Sequence, residues 1–313
     1  MPELPEVETV VRGLQALLPG RGILSVRLGK TDFIDDPAAI EQHIPGSRIV
    51  EVRRRGKFLI LFLEKNSSLQ TAASVSMPER FHLIVHLGMT GQLTVRPSAM
   101  PSPLHTHVWF SLDNDCELRY TDPRRFGRMA LVTESNSESI LGQLGVDALE
   151  ASEDEFRGAL AGRRARIKAL LLDQRVFRGM GNIYTDESLW HARIHPARLG
   201  AALKPAEIAR LYRAIQKVLR EAIRLRGSSI SDYVDAEGER GGFQLRHRVY
   251  DREGKKCARC GTLIRRMIVA GRSSYFCPHC QKAPRRRSKQ RRAQVPARSR
   301  VSAKNKSARP RRG

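Results

Sequence analysis

The pattern of apolar and polar positions divides the chain into two regimes. PEVETVVRGLQALL carries Val7, Val10, Val11, Leu14, Leu17 and Leu18 at the one-face spacing of an amphipathic helix. Pro5 suits its first turn, where a missing N–H costs nothing, and Glu6 and Glu8 complement the positive end of the helix dipole. From Ile23 to about Val132 the spacing changes to short alternating or wholly apolar runs: ILSVRL, SRIVEV, KFLILFL, FHLIVHL, GQLTV, HVWFSL, CELRY and RMALV. These runs predict a β-sandwich or barrel of about eight strands. A polar run at residues 64–80 interrupts them and is expected to be a long exposed hairpin loop.

After about residue 147 helical spacing returns. SEDEFRGALAG opens with Ser152 and Glu155, a capping-box pair, and is followed by RIKALLLDQ, NIYTDESLWHARI and KPAEIARLYRAIQKVLREAIRLRG. Between the second and third of these, RGMGN sets Gly179 and Gly181 just before Asn182, which is expected to be an N-cap. Such an entrance can hold a phosphate; a plain helix-turn-helix corner is the alternative.

Composition narrows the class of partner. A chain of 313 residues is long enough for two or three domains with real cores. No stretch reaches the roughly 18 apolar residues of a membrane span, and the start lacks the basic-then-apolar order of an export signal, so a cytoplasmic protein is expected. The formal charge is +24, and residues 281–313 contribute fourteen Lys or Arg and no acid, so +10 belongs to the rest. A tail this basic and this poor in apolar residues is expected to be disordered, binding polyanions without specificity. The charge on the folded part points to nucleic acid, because neutralising phosphates and releasing counterions is what such a field does best.

Four of the five cysteines fall as Cys257-Ala-Arg-Cys260 and Cys277-Pro-His-Cys280, with sixteen residues between the pairs. That spacing predicts one four-thiolate, structural Zn2+ site with no position left for water. The alternative is two CxxC pairs that never meet. Cys116 reads as a half-buried strand residue without a role.

Taken together, MPELPEVET, HLGMTG, TDPRRFG, the GMGNIY…E helix entrance and a C-terminal CxxC…CxxC finger resemble bacterial formamidopyrimidine-DNA glycosylases, in that order and over residues 1 to about 281. The resemblance implies an α+β, multidomain fold: an N-terminal β-sandwich with an N-terminal helix (1–147), a helix-two-turns-helix DNA-binding domain (148–235), a zinc-finger hairpin with its preceding loop (236–282) and the disordered basic tail (283–313). It implies a bifunctional DNA glycosylase and AP lyase of base excision repair, acting as a monomer on double-stranded DNA with oxidised purines or abasic sites. Two other functions stay open: an endonuclease VIII-type glycosylase for oxidised pyrimidines, and a catalytically silent DNA-binding protein of the same fold.

Residue by residue, the resemblance implies that Pro2 is the Schiff-base nucleophile; removal of Met1, which so small a second residue favours, would present it as a secondary amine more readily neutral than a lysine ammonium. Glu3 would protonate the sugar ring, with Glu6 a supporting carboxylate and Lys57 and Arg272 contacting the phosphates around the lesion and assisting elimination. Met89, Arg124 and Phe126 match the trio that fills the hole left by a flipped base. His105, Arg164 and Asn182 match further DNA contacts. At Gly271 the sequence departs from the glutamine usual before Arg272, which puts the contacts of that hairpin in question.

Overall fold

The computed structural model describes residues 2–65, 79–230 and 233–284. Helix α1 (Leu4–Leu17) leads into eight strands, β1 (Ile23–Leu28), β2 (Arg48–Arg55), β3 (Phe58–Lys65), β4 (Glu79–His86), β5 (Gln92–Pro97), β6 (Thr106–Leu112), β7 (Cys116–Thr121) and β8 (Arg128–Thr133). They form two antiparallel four-stranded sheets, β1-β6-β7-β5 and β2-β3-β4-β8, and their inner faces pack into one core with Val7, Val10, Val11 and Leu14 of α1. The alternation read from the sequence therefore resolves as a sandwich. β3 and β4 run further into the polar stretch than its composition suggests, with Lys65 paired to Glu79. The loop expected there otherwise lies outside the described residues, as does the basic tail beyond residue 284.

A second core is helical. It joins α4 (Glu153–Leu160), α5 (Ile167–Leu172), α6 (Asn182–Ala192) and α7 (Pro205–Arg224), with Phe156, Leu171, Tyr184, Leu189, Ile215 and Leu219 among its buried residues. α4 begins with the reciprocal Ser152–Glu155 capping box. α7 is amphipathic, whereas α6 is buried on nearly every side, its acids Asp186 and Glu187 included. Short elements without a visible period complete this part: α2 (Pro37–His43) and α3 (Ser137–Leu141), and the parallel pair of β9 (Val146–Asp147) with β10 (Phe177–Arg178).

One residue of α1 does not follow the rest. Leu4 leaves the sandwich core and packs into the helical core, and its N–H donates to the Gly179 carbonyl at 3.0 Å. The first turn of α1 is thereby set in one half of the molecule and its remaining turns in the other. Arg54, at the end of β2, reinforces the junction with bonds to Glu8 at 2.7 Å, Asp147 at 2.7 Å and Glu150 at 3.2 Å.

The chain closes with the hairpin β11 (Arg265–Val269) and β12 (Arg272–Phe276). Its two-residue turn, Ala270-Gly271, has φ of 50° and 70°, the left-handed pair that a tight hairpin demands and that glycine adopts without strain. The departure from glutamine at Gly271 is thus accounted for by turn geometry. No helix among the described residues is long and apolar enough to cross a membrane.

Candidate active site and DNA-facing surface

Helix α1 starts with two carboxylates that do more than cap it. Glu3 is the N-cap and its N–H donates to Glu6 Oε2 at 2.8 Å, closing a capping box. The Glu3 carboxylate also reaches across the junction and accepts the first N–H groups of α6, from Ile183 at 3.0 Å and Tyr184 at 3.4 Å. An anion at the positive end of a buried helix is well placed electrostatically. Gly181 makes the approach possible, because a Cβ there would collide with the Glu3 carboxyl carbon. Gly181 rather than Asn182 is the N-cap of α6; Asn182 is its first helical residue. The phosphate-sized position that the sequence suggested at this entrance is partly filled by the protein's own carboxylate.

Glu6 is 2 % exposed. Its Oε1 accepts the Tyr184 hydroxyl and the Ser228 N–H, the latter at 2.7 Å. Burial, and after it the nearby Glu3 carboxylate, push Glu6 up to about 7 in spite of those hydrogen bonds. Lys57 occupies the two-residue turn between β2 and β3 and is only 7 % exposed, so it is not the solvated strand-end lysine its type would suggest. Burial lowers its pKa, Glu3 and Glu6 oppose this, and Arg272 adds to it. Lys57 in turn helps burial hold His86 at about 4, and neutral His86 accepts the Gly88 N–H at 3.1 Å beside Met89.

Five of the residues singled out from sequence, Glu3, Lys57, Met89, Asn182 and Arg272, line one cavity of about 650 Å³ between the two halves and the hairpin. That size suits one small-molecule-sized group. Pro2 is buried next to Glu3 in this chain, where Met1 precedes it, and does not line the cavity. Asn182 has a buried Oδ1 without a hydrogen-bond partner. Tyr250, which the sequence gave no reason to single out, completes part of the wall.

The remaining sites expected from sequence lie outside the cavity. Phe126 is 54 % exposed on the β7–β8 loop with the Arg124 guanidinium 4.6 Å from its ring centroid, whereas the cavity-lining Met89 is 39 % exposed on the β4–β5 loop. Asp122 ties these two loops together. Its buried carboxylate accepts the Thr90 hydroxyl, the Tyr120 hydroxyl at 3.1 Å and the N–H groups of Arg124 at 3.2 Å and Gly127 at 3.0 Å. Asp122 stands inside the TDPRRFG motif, so its position was a signal, but its role became visible only with its partners. His105, exposed at φ 68°, is linked to the same loop through its carbonyl, which accepts the Asp122 N–H at 3.0 Å. Arg164 is exposed between α4 and α5.

Arg272 is carried by a hairpin anchored to α6. Lys168, fully buried, donates to Asp186 at 2.7 Å and to the Ser273 carbonyl at 2.7 Å, and Asp186 accepts the Tyr275 N–H at 2.9 Å. Behind the hairpin, the sulfurs of Cys257, Cys260, Cys277 and Cys280 all lie within 4.8 Å of one another. Four thiolates at about 2.3 Å from a tetrahedral zinc fit inside that distance, and the closed set leaves no open position. The site is that of a structural zinc, and the two CxxC pairs do meet.

Comparison with known proteins covers each of these regions. The model of the formamidopyrimidine-DNA glycosylase N-terminal domain matches residues 1–129, that of the formamidopyrimidine-DNA glycosylase H2TH domain residues 144–234, and that of the zinc finger found in FPG and IleRS residues 254–283. The formamidopyrimidine-DNA glycosylase of Pelotomaculum thermopropionicum is 45 % identical over 288 residues, covering 90 % of this chain and 99 % of the relative. That of Solibacter usitatus is 43 % identical, covering 90 % of this chain and all of the relative. Among solved structures, Lactococcus lactis Fpg in complex with DNA containing an abasic site aligns with a TM-score of 0.78 at 34 % identity, covering 90 % of this chain and 100 % of that one. The Fpg protein of Thermus thermophilus aligns with a TM-score of 0.75 at 40 % identity, covering 90 % of this chain and 98 % of that one.

Proposed function

The chain belongs to the formamidopyrimidine-DNA glycosylase family, and from that premise we propose that it excises oxidised purines, 8-oxoguanine and formamidopyrimidines, through a Schiff base on Pro2 and then cuts the strand by β,δ-elimination. The observation that carries the proposal is the shared cavity. The Glu3 carboxylate, fixed on the α6 N-terminus, opens into the same space as Lys57, Asn182 and Arg272, beside the exposed Met89. A proton-handling carboxylate, two cations and a wedge around one nucleotide-sized cavity are what base extrusion and excision require.

In this reading the Pro2 nitrogen, freed by removal of Met1, attacks C1′ of the extruded nucleotide as the damaged base departs with a proton. Glu3 protonates the ring oxygen, and the resulting iminium makes the C2′ hydrogen acidic, so that its loss expels the 3′ phosphate; loss of the C4′ hydrogen from the conjugated iminium then expels the 5′ phosphate. Glu6 supports the proton traffic of Pro2 and Glu3. Lys57 and Arg272 hold the phosphates flanking the lesion. Met89 and Phe126 occupy the vacated stack while Arg124 hydrogen-bonds the widowed base. His105, Arg164 and Asn182 fix the backbone.

Borohydride reduction tests the proposal. Intact protein, shown by mass to begin at Pro2, is expected to give a covalent complex with duplex DNA carrying 8-oxoguanine, and Pro2→Gly is expected to lose it. An undiminished complex in Pro2→Gly, or full-rate cleavage by protein that retains Met1, would overturn the assignment of the nucleophile.

A further inference from the structure

Three side chains that this reaction does not use form a line leading away from Glu6. The Tyr184 hydroxyl, which donates to Glu6, lies 3.3 Å from Ser228 Oγ, and Ser228 Oγ lies 3.3 Å from His247 Nε2. Tyr184 and Ser228 are buried, whereas His247 is half-buried and ends the line toward solvent. Hydroxyls and imidazole each give and accept a proton, so every link can carry one. Glu6 does not line the cavity, and it is the kind of group that needs such a line: enclosed, yet poised to exist in both protonation states near neutral pH.

We propose that Tyr184, Ser228 and His247 form a proton inlet that connects Glu6 with solvent and resets its protonation during the reaction. The proposal rests on the reading of Glu6 as a supporting carboxylate. The transfer balances simply. From a protonated His247 ring the Nε2 proton passes to Ser228 Oγ, the serine's own hydrogen to the Tyr184 oxygen, and the tyrosine's hydrogen to Glu6 Oε1. One N–H and two O–H bonds break, three O–H bonds form, and the ends become a neutral imidazole and a neutral carboxylic acid. Running backwards, the same line discharges Glu6.

The surroundings favour the inward direction. Burial lowers His247 to about 4, with Asp251 opposing and Arg252 adding, while the rings of Tyr250 and Phe243 pack against it at 5.5 Å. A proton captured there passes readily to Glu6, which faces Glu3 and Tyr184, lies within the field of Lys57, and accepts the Tyr233 hydroxyl on its carbonyl at 3.3 Å. Networks of this kind are apportioned only by perturbing their members.

The test uses the full chain and single-turnover excision of 8-oxoguanine from duplex DNA across a pH series, in H2O and D2O. His247→Gln keeps a hydrogen-bonding side chain but removes the titration. It is expected to slow the saturated rate about tenfold and to enlarge the solvent isotope effect. Added imidazoles should restore the rate of His247→Gly, in an order that follows their basicity. Ser228→Ala, which interrupts the line elsewhere, should match His247→Gln without such rescue. An unchanged pH profile and isotope effect in His247→Gln, or rescue indifferent to the basicity of the imidazole, would overturn the inlet. Absence of a borohydride-trapped complex in the unmutated protein would instead sink the Schiff-base reading. The inlet is then judged by infrared detection of the Glu6 carboxyl after a pH jump: slower in His247→Gln upholds it, equal rates overturn it.

Discussion

Glu6 is held by groups far away in the chain: Tyr184 and Ser228 stand 178 and 222 residues from it. Its folded pKa of about 7 lies above the ordinary 4.5, so the folded state binds the extra proton. The stabilisation from that proton is complete below about pH 4.5 and fades as the pH rises through 7. Between those limits the free energy of unfolding should fall by up to about 3 kcal/mol on this account, at roughly 1.4 kcal/mol per pKa unit. Denaturant titrations at a series of pH values should therefore show a shallower decline for Glu6→Gln. Asp186, raised to about 7 by burial, contributes a slope of the same sign and should keep the decline from vanishing. Equal slopes in the two proteins would contradict the assignment to Glu6. None of this could be read from MPELPEVET, which names the carboxylates but not the tyrosine and serine that enclose one of them.

At the level of elements, every long periodic run became the element it implied, because alternation and one-face spacing report directly which side is buried. What escaped was too short to show a period, as in the seven residues of α2, whereas α6 formed where its sequence placed a helix although it is buried on nearly every side. α6 carries no apolar stripe because its acids are used inside: Asp186 on Lys168 and the hairpin, and Glu187 on the N–H groups of Arg248, Val249 and Tyr250 at 2.9–3.0 Å. The hairpin that carries Arg272 thus has two supports, the zinc thiolates and this buried pair. Cys257→Ser should lose zinc, measured by metal analysis, and weaken DNA binding at least tenfold as the Arg272 mount loosens. The main thermal transition should persist, since the sandwich and the helical core do not draw on the finger's small cluster. Full DNA affinity in the metal-free variant would show that the buried pair suffices.

For the molecule as a whole, charge and architecture act separately. The two halves are locked by Arg54, 2 % exposed among Glu8, Asp147 and Glu150, and by the first turn of α1. Residues 285–313 add positive charge and lie outside the described residues. Deleting 285–313 should flatten the dependence of DNA affinity on salt, because fewer counterions are released, and leave saturated single-turnover excision unchanged within about twofold. A large loss in that saturated rate would place the tail in the chemistry. The lock itself has a consequence for the order in which the protein is made. Translation delivers Glu3 and Glu6 first, yet the amides that fix them, from Ile183 and Ser228, leave the ribosome 180 and 222 residues later. The two carboxylates therefore cannot take up their folded hydrogen bonds until nearly three quarters of the chain has been synthesised.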